Sequence, residues 1–314
     1  MANKMIWSYL VHFGTRMWGD FPAGDGGKCI DDTPLNFDEN TWREVSESLA
    51  KTRCNMILVD VGEFMQYETH PELAIPGSWS KQRFADELAR LKGMGFEVIP
   101  KLNFSAGHDK WLGVYSRMLS TPQYYQVCKD VIAEVAEVFG NPRLFHLGMD
   151  EEVWSIQSQL PICIIRNREL YWHDFFLLAK EVEAHGARPW IWADHVWHTH
   201  EKEKDFLEHM TKDVLLSNWY YGDYTETGWF EDIYRGYEVL TENGFDQVPA
   251  ASNYRCDDNM VLTVERYGNK IAPENLKGFM MAPWAMTTEE SKQQLINAGK
   301  LLDDGIRAFE KIKK

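Results

Sequence analysis

Short apolar, β-rich runs alternate with amphipathic stretches about eight times along the 314 residues, with no Ser/Pro-rich linker and no abrupt change of composition. A β-then-α unit repeated this often has few ways to fold. Parallel neighbours need a crossover helix, and eight of them can close the sheet on itself, so the pattern predicts an α/β chain forming one (β/α)8 TIM barrel domain over residues 1–314. The expected strands are 5–11, 56–61, 97–102, 144–147, 189–193, 214–219, 247–250 and 279–282. Helical spacing places Trp42, Val45 and Leu49 on one face behind Asp38 as N-cap, and groups Phe84, Leu88 and Leu91, then Val127, Val131, Val135 and Val138, then Leu295, Ala298, Leu302 and Phe309. Gly93, Gly95, Gly140, Gly186 and Gly244 fall just past expected helix ends, where left-handed caps favour glycine. A doubly wound open sheet is the competing arrangement, but no GxGxxG follows an early strand and no GxxxxGK[ST] occurs.

A barrel makes a sharp demand: its chemistry sits in the loops after the strands. Arg16, Trp18 and Asp20 follow the first strand, Glu63 and Tyr67 the second, Asn103 and His108 the third. His146-Leu147-Gly148-Met149-Asp150-Glu151-Glu152 ends the fourth. Trp192, Asp194 and His195 follow the fifth, Trp219, Tyr220, Tyr221 and Asp223 the sixth, Asn253 and Arg255 the seventh, and Trp284 the eighth. A ring of Trp, Tyr, Asp, Glu, Arg and Asn suits a carbohydrate pocket, where aromatic faces stack on C–H surfaces and carboxylates bind hydroxyls. The chain holds 13 tryptophans. Trp7, Trp42 and Trp172 fit core periodicity, whereas Trp192, Trp219 and Trp284 stand at strand ends, where a pocket would use them.

The balance of 33 Lys+Arg against 48 Asp+Glu gives a net charge of −15 and argues against nucleic acid or a membrane surface as partner, since both need clustered cations. No apolar run is long enough to span a bilayer and no signal peptide is evident, so the expectation is a cytoplasmic protein, or one exported with its leader removed. Cys29, Cys54, Cys128, Cys163 and Cys256 are odd in number and lack a CxxC pair, which fits reduced, mostly buried thiols.

The fourth-strand segment carries the most information. Two adjacent carboxylates at a strand end point in opposite directions if the backbone stays extended, so they can address two atoms of one ligand. Here the sequence resembles glycoside hydrolase family 20, the β-N-acetylhexosaminidases, whose fourth strand ends in His-x-Gly-Gly-Asp-Glu. His146, Gly148, Asp150 and Glu151 match, with Met149 where the second glycine usually stands. The stretch from Val98 to His108 is similar to the family's third-strand segment ending in Asp and a Pro-Gly-His turn, with Asn103 in place of the Asp. Tyr221-Gly222-Asp223 looks like its Tyr-x-Asp element. There are departures: the first strand is expected to begin by about residue 5, so the family's small α+β domain before the barrel is not expected here, and its Trp-x-Glu after the last strand reads Trp284-Ala285-Met286. These suggest a relative of family 20, such as a separate family acting on β-linked N-acetylgalactosamine.

The resemblance implies a retaining exo-glycosidase that releases β-linked N-acetylhexosamine, GalNAc or GlcNAc, without a cofactor or metal. An ordinary retaining enzyme needs two carboxyls about 5 Å apart across the anomeric carbon. In the substrate-assisted variant the 2-acetamido oxygen is the nucleophile, so one acid and one carboxylate that stabilises the oxazolinium suffice. On this reading Glu151 protonates the leaving oxygen, Asp150 holds the acetamido N–H and Tyr221 its oxygen. His108 contacts Glu151, Arg16 binds ring hydroxyls, and Trp192, Trp219, Asp223 and Trp284 complete the sugar site. Two other readings stay open. The loop holding Asp194, His195, His198 and His200 could serve a metal-dependent barrel hydrolase, and Asn103 and Met286 would suit a sugar-binding barrel that has lost catalysis.

Overall fold

A computed structural model describes residues 5–20, 34–198 and 200–314, with the side chain of residue 200 excepted. Eight parallel strands, β1 (Ile6–His12), β2 (Met56–Asp60), β3 (Glu97–Lys101), β4 (Leu144–His146), β5 (Arg188–Trp192), β6 (Leu215–Ser217), β7 (Ala250–Ala251) and β8 (Gly278–Met281), pair in the order β6-β5-β4-β3-β2-β1-β8-β7. The remaining seam closes through parallel bridges Leu216↔Gln247 and Trp219↔Ala250, so the sheet is a barrel. Each strand leads into an outer helix: α1 (Glu39–Leu49), α2 (Lys81–Gly93), α3 (Pro122–Val138), α5 (Glu169–Ala184), α6 (His200–His209), α7 (Trp229–Glu242), α8 (Asn259–Tyr267) and α9 (Lys292–Ile312). A single extra turn, α4 (Trp154–Gln157), sits inside the long loop after β4.

The helix periodicities behave as the sequence implies. Asp38 accepts the Thr41 N–H at 2.6 Å and caps α1, while Trp42, Val45, Phe84, Leu88, Val131, Leu295 and Leu302 bury the inner faces of their helices. Trp7, Trp42 and Trp172 are core residues. The strands differ mainly at the late seam. The run expected at 247–250 contributes a ladder of only Ala250–Ala251, because Pro249 has no N–H to donate. Of the cysteines, Cys54 and Cys128 are buried, but Cys163 is exposed and Cys256 partly so, against the expectation for them; Cys29 lies outside the described residues. Gly93 closes α2 itself, and Gly95 takes the left-handed position at φ +96°.

Strand alternation divides the core in two. Outward residues such as Tyr9, Val11, Ile57 and Val59 pack under the helices, while Ile6, Leu10, Met56, Leu58, Ile99, Leu144, Trp190 and Met280 fill the barrel. The upper interior layer is polar. His12, Asp60, Lys101 and His146 are register partners across β1 to β4. Lys101 Nζ donates to Asp60 Oδ2 at 2.6 Å and His12 Nδ1 donates to the same oxygen at 3.0 Å. Burial pushes the Asp60 carboxyl up, but Lys101 and His12 outweigh it and hold it below the usual carboxylate range.

Removing one partner of such a cluster leaves a buried charge uncompensated. Lys101→Met should therefore lower unfolding free energy by about 3–5 kcal/mol in urea titration, and Lys101→Met with Asp60→Leu should recover part of that. A single-variant loss below about 1 kcal/mol would show that Asp60 does not depend on Lys101.

Candidate active site

The chain leaves extended geometry directly after β4. Gly148 has φ +75°, Met149 φ 69° and Glu151 φ 58°. The backbone does not stay extended, so the alternation of a strand end does not apply here: by coiling through the left-handed region the chain turns both carboxylates to one cavity. Gly148 cannot be replaced in this turn, since a Cβ there would stand 2.0 Å from Asn103 Oδ1. Met149, where the family motif has its second glycine, takes a conformation that costs a non-glycine residue about 1–2 kcal/mol. Its side chain is buried.

Neighbouring strands hold the turn in place. From the loop after β3, Asn103 Nδ2 and Ser105 Oγ both donate to Asp150 Oδ1 at 3.0 Å, and Asn103 Oδ1 accepts the Ser105 N–H at 3.0 Å. The amide is thereby oriented to donate to Asp150, which an aspartate at 103 could not do. His108 Nε2 lies 3.1 Å from Glu151 Oε2 and 3.6 Å from Asp150 Oδ2, with Nδ1 on the Met17 carbonyl at 3.3 Å. From the loop after β5, Asp194 Oδ2 accepts the Glu151 N–H at 2.7 Å and the His198 ring at 2.8 Å. Asp194 therefore fixes the backbone that carries Glu151. Glu152, the third acidic residue of the run, turns away and is buried against the Arg166 guanidinium, which also donates to the Phe104 carbonyl at 2.6 Å.

The two carboxylates open into a cavity of about 360 Å³ whose wall includes His108, Trp18, Trp192, Trp197, Trp219, Tyr221, Trp229, Tyr254, Arg255 and Trp284. Burial raises the Asp150 carboxyl, His108 opposes that, and Asp194 and Glu151 add to it. Burial also lifts the Tyr221 phenol well above its usual range, so it stays a donor at neutral pH. Tyr221 stacks on Trp219 at 5.3 Å between ring centres and lies 6.0 Å from Trp284. Trp192 is buried between the barrel interior and the cavity, 5.6 Å from Trp284, and its buried Nε1 has no hydrogen-bond partner among the described residues.

Two expected sugar ligands are not in the wall. Asp223 is exposed and accepts the Thr225 N–H at 3.0 Å in a local turn, and Arg16 lies outside the cavity lining, with its N–H donating to Glu63 Oε1 at 3.0 Å. Short polar side chains close a turn on their own backbone, and sequence order alone does not reveal that. Asn253 likewise donates to the Gln294 carbonyl at 3.1 Å. Glu63 and Tyr67 are buried, the Tyr67 hydroxyl on the Gly62 carbonyl at 2.7 Å. Arg143, just before β4, binds Glu97 at 2.6 Å. Met286 is absent from the wall and bridges to His12.

The His-rich loop does not converge on one point. His198 binds Asp194, whereas His195 stacks on Tyr171 at 4.3 Å and faces Asp205 at 3.3 Å, its pKa pressed down to about 3 by burial. The side chain of His200 lies outside the described residues. Among the described residues no group of three or more His, Cys, Asp or Glu could hold a metal ion, and no helix is long and apolar enough to cross a membrane. Residues that sequence order did not bring forward are Ser105, Trp197, Trp229 and Tyr254; only the excess of aromatics hinted at the last three.

No family model and no curated protein matches the sequence. Solved structures do. The β-N-acetylhexosaminidase of Bacteroides fragilis aligns over 94% of this chain and 65% of its own with TM-score 0.64 at 12% identity. The pneumococcal virulence factor StrH aligns over 98% and 84% with TM-score 0.63 at 13% identity. The family 20 exo-β-N-acetylglucosaminidase of Vibrio harveyi, solved with N-acetylglucosamine, aligns over 98% and 56% with TM-score 0.63 at 12% identity. The chain spans less than two thirds of the Bacteroides and Vibrio proteins. The barrel of family 20 enzymes is the fold of this chain.

His108 supplies a pH test. Burial would depress the imidazole, but Asp150 and Glu151 outweigh that and raise it to about 9. A raised folded value means the imidazolium's contribution is complete below the unfolded value of about 6.5 and is lost as pH climbs through about 9. Side-chain NMR should place the His108 midpoint near 9, with stability falling across that alkaline window; a midpoint near 6.5 would mean that the His108 contacts to Glu151 and Asp150 are not ionic.

Proposed function

We propose that the chain is a retaining exo-glycosidase of the β-N-acetylhexosaminidase type that works by substrate-assisted catalysis. The observation that carries this reading is the Asp150–Glu151 pair: adjacent in sequence, held by different neighbours, and both opening into one cavity walled by tryptophan. The shared fold and the fourth-strand motif support it. In the pocket, Asp150 receives the acetamido N–H and the Tyr221 hydroxyl donates to the acetamido oxygen. That oxygen attacks the anomeric carbon while Glu151 passes a proton to the leaving oxygen, and a water then opens the oxazolinium with Glu151 as base. His108 keeps a positive charge beside both carboxylates as theirs changes.

Glu151→Gln should leave sugar binding intact and reduce kcat by about 10²–10⁴ on substrates with poor leaving groups, while activated phenols lose far less. An equal loss on both classes would remove Glu151 from the acid role. A thiazoline analogue of the N-acetyl sugar should bind at least about 10²-fold tighter than the free sugar, and Asp150→Asn should weaken it, because mimics of the intermediate outbind substrates. No preference for the thiazoline would sink the substrate-assisted route.

On the epimer, we infer that GalNAc is accepted at least as well as GlcNAc. Strong rejection of an epimer needs a polar partner that the wrong sugar leaves unpaired. Asp150 and Glu151 are the carboxylates of the wall, and Met286, Arg16, Asp223 and Asn253 are not part of it. Comparing kcat/KM on the two β-linked p-nitrophenyl sugars decides this; a large GlcNAc preference would assign the role to another wall residue.

A further inference from the structure

The cavity is longer than the group around Asp150 and Glu151. Its outer wall is built from the start of α7 and the loop after β7, and includes Trp229, Tyr254 and Arg255. Trp229 is 53% exposed and Tyr254 43% exposed, both unusual for large aromatics. The Trp229 ring is nonetheless held, edge-on to Trp197 at 5.6 Å and to Phe230 at 5.4 Å, so one face is presented to solvent at little entropic cost. Arg255 lies beside Tyr254, its guanidinium 5.9 Å from the ring centre, and no carboxylate among the described residues pairs with it. In a chain of net charge −15 with two carboxylates at the base of the same cavity, where His108 already faces both, a guanidinium at the mouth with no carboxylate partner among the described residues suits an anion.

We propose that this outer wall is a subsite for the leaving group, and that it takes a saccharide carrying an anionic substituent, a uronate carboxylate or a sulfate ester. Trp229 stacks on the sugar face and Arg255 pairs with the anion. The assignment rests on the glycosidase reading, and it narrows the substrate to N-acetylhexosamine β-linked to an acidic sugar. Distance from the base of the cavity separates the anion from Asp150 and Glu151, and a planar fork of donors matches carboxylate and sulfate alike.

The test compares four disaccharides in which β-linked N-acetylhexosamine precedes a uronic acid, the same sugar with its carboxyl reduced to an alcohol, a sulfated hexose, or the unsulfated hexose. Wild type should favour at least one anionic member over its neutral counterpart by about three- to tenfold in kcat/KM, with the preference shrinking as salt is raised. The uronate and sulfate arms identify which anion is read. In Arg255→Gln the anionic-to-neutral ratio should fall to about one, while Trp229→Ala should weaken anionic and neutral members alike. Binding of the same sugars to Glu151→Gln protein, followed by tryptophan fluorescence, separates this proposal from the catalytic one: an Arg255-dependent preference in binding, with no turnover of any of the four by wild type, upholds the subsite and overturns the glycosidase. Equal affinity and equal kcat/KM within both pairs, or a ratio that Arg255→Gln does not change, would overturn the subsite.

Discussion

The site depends on a backbone that stops being a strand at Gly148. An extended continuation of β4 would send one of the two carboxylates back toward the sheet; the left-handed turn from Gly148 to Glu151 lets both reach the same cavity. Such a turn is unstable alone, because Met149 and Glu151 each occupy a region unfavourable for side chains with a Cβ. It persists because both flanking loops grip it. Asn103 and Ser105 hold the Asp150 carboxylate, His108 spans both acids, and Asp194 takes the Glu151 N–H. Closing the barrel is what delivers those loops, since β3 and β5 are the two neighbours of β4.

Beneath this turn the barrel's interior changes character. The lower layers are aliphatic and aromatic, but the layer at the strand ends contains His12, Asp60, Lys101 and His146. Burying such groups is justified only when each has a partner, and Asp60 serves Lys101 and His12 together. His12 in turn stacks on Trp284 at 5.5 Å and meets Trp18 at a tilt, 4.5 Å between ring centres; both are residues of the cavity wall. The polar layer thus connects the packed interior to the floor of the site.

Much of this was legible in the sequence for identifiable reasons. Parallel strands buried on both faces read as apolar runs, and helix faces repeat at their own period, so the eight units and most core residues could be placed before any coordinates. The strand-end rule then brought Asp150, Glu151, His108, Tyr221, Trp192, Trp219 and Trp284 to one mouth, where the structure places them. Asp223 and Arg16 were misplaced because a loop residue's direction is set by local turns and by tertiary partners such as Thr225 and Glu63. Asn103 illustrates the converse: read as a lost acid in the sequence, it is the donor that orients Asp150.

The remaining acids bear on how a bond could be broken. An ordinary double displacement needs a second carboxylate facing the anomeric carbon from across the pocket. The nearby acids are otherwise engaged. Glu63 accepts the Thr15 and Arg16 N–H groups, Glu152 is locked to Arg166, Asp20 pairs with Arg117, and Asp194 holds Glu151 and His198. None of these four lines the cavity. On the proposed reading, with Glu151 at the leaving oxygen and Asp150 fixed beside it by Asn103 and Ser105, no wall carboxylate among the described residues is left to form a glycosyl ester. The proposed retaining reaction would then take its nucleophile from the substrate, and a 2-acetamido group placed against Asp150 and Tyr221 is chemically suited to supply one.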